Sequence, residues 1–83
     1  MSTLLARTVL ANGATTTVVT DGYTNIVVHV HKGSTTCESI IDSAQTDGYR
    51  FMLENSIIVV TSAYSITIEG RGKDGGEVEV YTA

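Results

Sequence analysis

The sequence predicts an all-β domain, a small antiparallel sandwich or jelly-roll-like barrel of about seven or eight short strands. Three observations carry this. Thirteen Thr, ten Val and seven Ile make 30 of the 83 residues β-branched; such side chains are stiff at χ1 and suit a pleated, half-buried surface. Strong helix formers are scarce, and proline, which would remove a ladder donor, is absent. Short alternating runs recur between Gly, Asn and Asp turn signals at intervals of roughly 8–12 residues, the rhythm of a sandwich or barrel.

The elements follow in order. Residues 3–10 form the first predicted strand, and Asn12-Gly13 follows as a turn because both residues tolerate positive φ. Residues 15–20 form the second strand, closed by Asp21-Gly22. In 23–31, Ile26, Val28 and Val30 share one face, while His29 and His31 share the other. Lys32-Gly33-Ser34 breaks that pattern. The segment 35–44 supports two readings. Cys37, Ile40, Ile41 and Ala44 have helical spacing, and Thr35 with Glu38 offers a capping box, which gives a short helix near 36–45. Its Ser, Thr, Ile and Asp content gives an irregular strand instead.

Residues 49–54 alternate again, with Tyr49, Phe51 and Leu53 on one face. Residues 57–60, Ile-Ile-Val-Val, are aliphatic on both faces, which predicts a strand covered on both sides. Residues 64–69 put Tyr64, Ile66 and Ile68 inward, and 77–81 put Val78 and Val80 inward with Glu77 and Glu79 outward. Between them, residues 70–76 hold four of the eight glycines, so a hairpin with a mobile charged loop is expected.

At 8.8 kDa the chain is expected to be one domain spanning 1–83. A core of this size is marginal, and small domains add disulfides, metals or partner subunits. The single cysteine, Cys37, excludes an intrachain disulfide. A net charge of −4 argues against a nucleic-acid binder. The start lacks a basic n-region and an uninterrupted apolar stretch, and no run approaches a membrane span, so neither a signal peptide nor a membrane partner is expected.

Chemistry-bearing motifs are few. His29-Val30-His31 places two imidazoles on one side of a strand, the arrangement metal-binding cupins use. The cupin spacing is not matched: Glu38 lies too far downstream, and a third histidine is absent. The expectation is no bound metal and no cofactor, with His29 and His31 as the sole candidates. Cys37 reads as a buried small hydrophobe rather than a nucleophile. Gly72-Lys73 lacks the Ser or Thr and the earlier glycine of a phosphate loop. Nothing assembles a catalytic constellation, so an enzyme is not expected. Tyr23, Tyr49, Tyr64 and Tyr81 offer stacking surfaces and give a carbohydrate- or receptor-binding module of a phage tail or fibre as the alternative.

Residues 11–19 (ANGATTTVV), Asp21-Gly22-Tyr23 leading into 25–28 (NIVV), and the pair 65–68 (SITI) and 78–81 (VEVY) resemble the small all-β head cement or decoration proteins of tailed phages. The resemblance lies in style, short Thr/Val strands and Gly turns, rather than in a motif. It implies a structural virion protein made in the host cytoplasm. Such a protein would be a homo-oligomer, trimer or dimer, that binds the capsid coat protein and stabilises contacts between its subunits. The expected interface uses Leu4, Leu5, Arg7, Val9, Val27, His29 and His31, and Arg71 and Lys73 are expected as loop contacts.

Overall fold

A computed structural model describes residues 3–40, 46–61 and 64–82. The described chain is all strand and turn. β1 spans Leu4–Leu10, β2 Thr15–Val19, β3 Asn25–Ile40, β4 Thr46–Leu53, β5 Ile57–Thr61 and β6 Ser65–Thr82. All pairings are antiparallel and belong to one sheet.

The register explains the shape. β3 and β6 pair along almost their whole length, from Ile26↔Thr82 to Ile40↔Ser65. β1 and then β2 run along the free side of β6, while β4 and then β5 run along the free side of β3. The result is a four-ribbon antiparallel sheet, creased across its middle and folded onto itself. The front half contains β1, the C-terminal part of β6, the N-terminal part of β3, and β5. The back half contains β2, the other parts of β6 and β3, and β4.

Alternation within each ribbon fills the space between the halves. Leu10, Ile26, Val28, Val30, Val78 and Val80 face inward from the front, and Val18, Cys37, Met52, Ile66 and Ile68 from the back, in one buried cluster. Each buried aliphatic side chain contributes about 1.5–3 kcal/mol. Six come from one half and five from the other, so neither half keeps its core without the fold at the crease.

The crease is made by glycine. Between Gly33↔Gly76 and Ser34↔Arg71, β6 carries four extra residues, 72–75. Gly33 and Gly75 sit at φ 69° and 67°. A Cβ on Gly33 would overlap the carbonyl oxygen of Gly75, and a Cβ on Gly75 would overlap that of Leu10. Only a residue without a side chain lets these backbones touch. The neighbouring ribbons are clasped here too. Gly13 N–H donates to Gly70 O at 2.8 Å and Gly70 N–H to Ala14 O at 2.9 Å. On the other side, Asn55 N–H donates to Val30 O at 2.7 Å and Val30 N–H to Ser56 O at 3.0 Å.

Five sequence expectations change, the first being that Tyr64, expected inward with Ile66 and Ile68, is 42% exposed. There are six strands among the described residues rather than seven or eight, because Lys32-Gly33-Ser34 and residues 70–76 bend strands instead of ending them. The C-terminal segments are one strand, not a hairpin: both parts pair with β3 in the same direction, so the chain never reverses between them. The helix over 36–45 is not formed at 36–40, where Thr36, Cys37 and Glu38 pair with both β4 and β6; residues 41–45 lie outside the described residues. The strand at 57–60 is covered on one side only, since Ile58 and Val60 meet the core while Ile57 and Val59 remain 61% and 58% exposed.

Gly75→Ala is expected to lose at least about 2 kcal/mol of unfolding free energy, from an unfavourable φ plus a backbone overlap. Gly13→Ala has positive φ as well but nothing within 4 Å of the added carbon. It should lose only about 1 kcal/mol. Urea denaturation of the two variants checks the difference, and equal losses would refute the crowding argument.

Candidate functional site

The inward face of the front half is consumed by the core, so the chemistry lies on its outer face. Register across the four strands builds this face in rows. The first row is Leu4, Tyr81, Val27 and Val59; the second is Arg7, Glu79, His29 and Ile57; the third begins with Val9 and Glu77. Two irregularities adjust it. A shift between Leu4 and Ala6 turns Leu5 and Ala6 toward the core, and a bulge between Val30 and Lys32 makes His31 an extra residue on β3.

The bulge matters chemically. His29 stands directly opposite Glu79. In a regular ladder the position two residues further along would face Glu77. As the unpaired bulge residue, His31 instead reaches the same carboxylate: its Nε2–H donates to Glu79 Oε1. The two imidazole centroids are 4.1 Å apart, against about 6.6 Å between the α-carbons of alternate residues on a strand. The Tyr81 hydroxyl donates to the same Glu79 oxygen at 2.5 Å. Arg7 reaches Glu77 at 3.1 Å and Glu79 at 3.9 Å. Glu79 is 8% exposed, so this carboxylate is nearly enclosed by its partners.

The electrostatics follow from those contacts. The Tyr81 hydrogen bond, and after it the His31 bond, hold the Glu79 carboxyl below its ordinary 4.5. The same Tyr81–Glu79 bond, followed by burial, pushes the Tyr81 phenol above its ordinary 10.0. In the core, burial pushes the Cys37 thiol up to about 11, so it stays protonated at neutral pH and is a poor nucleophile.

Of the residues expected at an interface, Leu4, Arg7, Val9, Val27, His29 and His31 share this outer face, and Leu5 does not because the β1 irregularity rotates it inward. Arg71 lies apart at the crease, 3.3 Å from Glu69, and Lys73 is exposed on the four-residue bulge. Sequence reasoning missed Glu79 and Tyr81 as members of the cluster. The outward parity of Glu79 in 77–81 was visible, but its register against His29 depends on a β3–β6 pairing that spans most of the chain. Two shallow concavities flank the face. One, of about 450 Å³, is lined by Phe51, Met52, Ser56 and Ile57 among others; the second, of about 310 Å³, lies along Val9, Gly33, Gly75 and Glu77.

No family model matches the chain, and no curated protein does. Among solved structures it is similar to the crystal structure of Drosophila melanogaster CENP-C bound to CAL1, with a TM-score of 0.65 and 9% identity. The likeness covers 92% of this chain and 60% of that chain, so this chain spans less than two thirds of that one's length. At that identity the comparison shows a shared fold.

The depressed Glu79 carboxyl and the raised Tyr81 phenol fix the sign of the pH dependence. Glu79 contributes stability that is present above its unfolded value of 4.5 and is lost as pH falls through the lower folded value. Tyr81 contributes stability that is present below 10.0 and is lost as pH rises through the higher folded value. Urea midpoints measured across pH should show both limbs, and Glu79→Gln should flatten both. Unchanged limbs in that variant would remove Glu79 as their source.

Proposed function

We propose that this chain is a structural assembly protein, a capsid cement or decoration protein, that acts by docking the outer face of its front half on another protein surface. The observation that supports this reading is the apolar framing of that face. Leu4, Val9, Ile57 and Val59 are 49–75% exposed on it, and Val27 and Tyr81 lie half-buried between them. Exposed apolar side chains on a sheet face suit a protein contact, and here they frame the polar Arg7, Glu79 and His29 of the central row. The back half is less suited. Its exposed Phe51 and Leu53 lie at one margin and Val19 at the other, separated by Thr36, Glu69, Thr67 and Thr17.

The partner contact is first with a second copy of the chain, making a dimer or trimer, and then with the coat lattice. A protein that binds only the assembled shell stabilises that shell by mass action. A symmetric oligomer multiplies weak contacts through effective concentration. The chain of like fold, CENP-C bound to CAL1, is also held in a protein–protein complex, which is in keeping with such a role.

Sedimentation equilibrium of the isolated chain should give an oligomer that Ile57→Asp and Val59→Asp each convert to monomer, with the far-ultraviolet spectrum retained. Virions purified from the native source should contain the chain at a fixed copy number. A monomeric wild type that is also absent from particles would reject the reading.

A second reading draws on two tyrosines at one end of the molecule. Tyr23 and Tyr64 are 44% and 42% exposed. Their backbones meet at Thr20, which donates its N–H to Tyr64 O and accepts from the N–H of Tyr23. Exposed tyrosine rings suit the face of a sugar ring. A glycan array should then show a signal that Tyr23→Ala and Tyr64→Ala abolish; a blank array excludes a carbohydrate module.

A further inference from the structure

We propose that His29, His31 and Glu79 form a Zn²⁺ site on the outer face of the front half. Nδ1 or Nε2 of each imidazole and a carboxylate oxygen of Glu79 all lie within 4.8 Å of one another. Ligands about 2.1 Å from a tetrahedral zinc ion are roughly 3.4 Å apart, so modest side-chain rotation closes the set. The ion takes the place of the proton that Nε2 of His31 now donates to Glu79, and the ring then carries its proton on Nδ1. Two neutral imidazoles and one carboxylate are borderline donors that favour zinc and its first-row neighbours over Mg²⁺ or Ca²⁺, which select oxygen cages.

Three features make this more than a chance meeting of ligands. The direct pairing of His29 with Glu79 and the bulge at His31 are backbone properties, so the donors are gathered before any ion arrives. An outer partner already holds the carboxylate, since the Tyr81 hydroxyl donates to Glu79 at 2.5 Å. The site is also reachable: the His31 side chain is 35% exposed, against 10% for Glu79. Arg7, 3.9 Å from Glu79, opposes a cation, but its shorter contact at 3.1 Å is to Glu77. Three protein donors would leave the fourth position of a tetrahedral ion for water or for a donor from a docked surface. The site does not depend on the docking reading, because all three protein ligands belong to one chain.

The test is a calorimetric titration of the untagged, chelator-treated full chain with ZnCl₂, alongside metal analysis of the dialysed complex. One Zn²⁺ per chain is expected, unaffected by excess Mg²⁺. His29→Ala, His31→Ala and Glu79→Gln should each weaken binding at least about 100-fold, and Tyr81→Phe, which removes only the outer partner, about tenfold. Substituted Co²⁺ should give ligand-field bands without a thiolate charge-transfer band, and Cys37→Ser should leave them unchanged. A measurement on the wild type alone guards against unfolded variants: the ring resonances of both histidines should shift together and saturate at one equivalent of Zn²⁺. Failure to bind stoichiometrically, a shift in neither histidine, or full affinity in folded His29→Ala would overturn the proposal.

Discussion

The structure depends on the approach of backbone to backbone at the crease. Gly33 meets Gly75, Gly75 meets Leu10, and Gly76 meets Ser34, each at a separation that a Cβ would prevent. Without that approach the four-ribbon sheet would lie flat, with its aliphatic stripe open to water. With it, Ile26, Val28, Val30, Val78 and Val80 reach across to Ile66, Ile68, Cys37 and Met52. The α-carbon extents of 34 × 30 × 15 Å reflect this, since the short axis accommodates two sheet layers and little else. The two clasps at Gly70 and Val30 hold the flanking ribbons to the same fold line, so all four ribbons turn together.

A crease of this kind determines what remains outside. Strand alternation gives each ribbon one inward and one outward face, and the fold packs the inward set into the core, with Leu5, Ala6, Ile58 and Val60 partly buried at its margin. Two bulges then edit the outward set. The irregularity at Leu5 withdraws a leucine from the front face, and the bulge at His31 brings a second imidazole to a carboxylate it would otherwise miss. The outer face therefore owes its chemistry to departures from regular pairing. Substituting residues remote from Glu79 but within either bulge should disturb the cluster through register rather than through contact.

Much of the fold was legible in the sequence. Ile26, Val28 and Val30 against His29 and His31, and Val78 and Val80 against Glu77 and Glu79, have the period of two that places each residue on its face. The same local reading failed at the glycines. Gly33 and residues 70–76 have the composition of turns, and composition does not distinguish a chain that reverses from one that bends and continues. Only the β3–β6 register separates the two, and it is a non-local property. The period of two in 49–54 puts Phe51 and Leu53 on a shared face without saying which face is inner, and it is Met52 between them that joins the core, 1% exposed. The third member of the histidine cluster was hidden by distance, because Glu79 follows His31 by 48 residues and becomes its neighbour through pairing alone.

The polar cluster and the apolar surround belong to one energetic problem. Covering the front face with another protein removes Glu79, His29 and His31 from water, and an unpaired carboxylate there would cost more than the aliphatic contacts return. The cost is reduced in advance. Glu79 accepts from Tyr81 and His31 and lies beside Arg7, and it is already 8% exposed in the single chain. Most of its desolvation has thus occurred during folding, offset by charge-assisted hydrogen bonds. Leu4, Val9, Ile57 and Val59 can then be buried by a partner without exposing that partner to an unsatisfied charge. An outer strand face carrying a glutamate in its central row is, on this account, compatible with a dry contact because its register has already neutralised that residue.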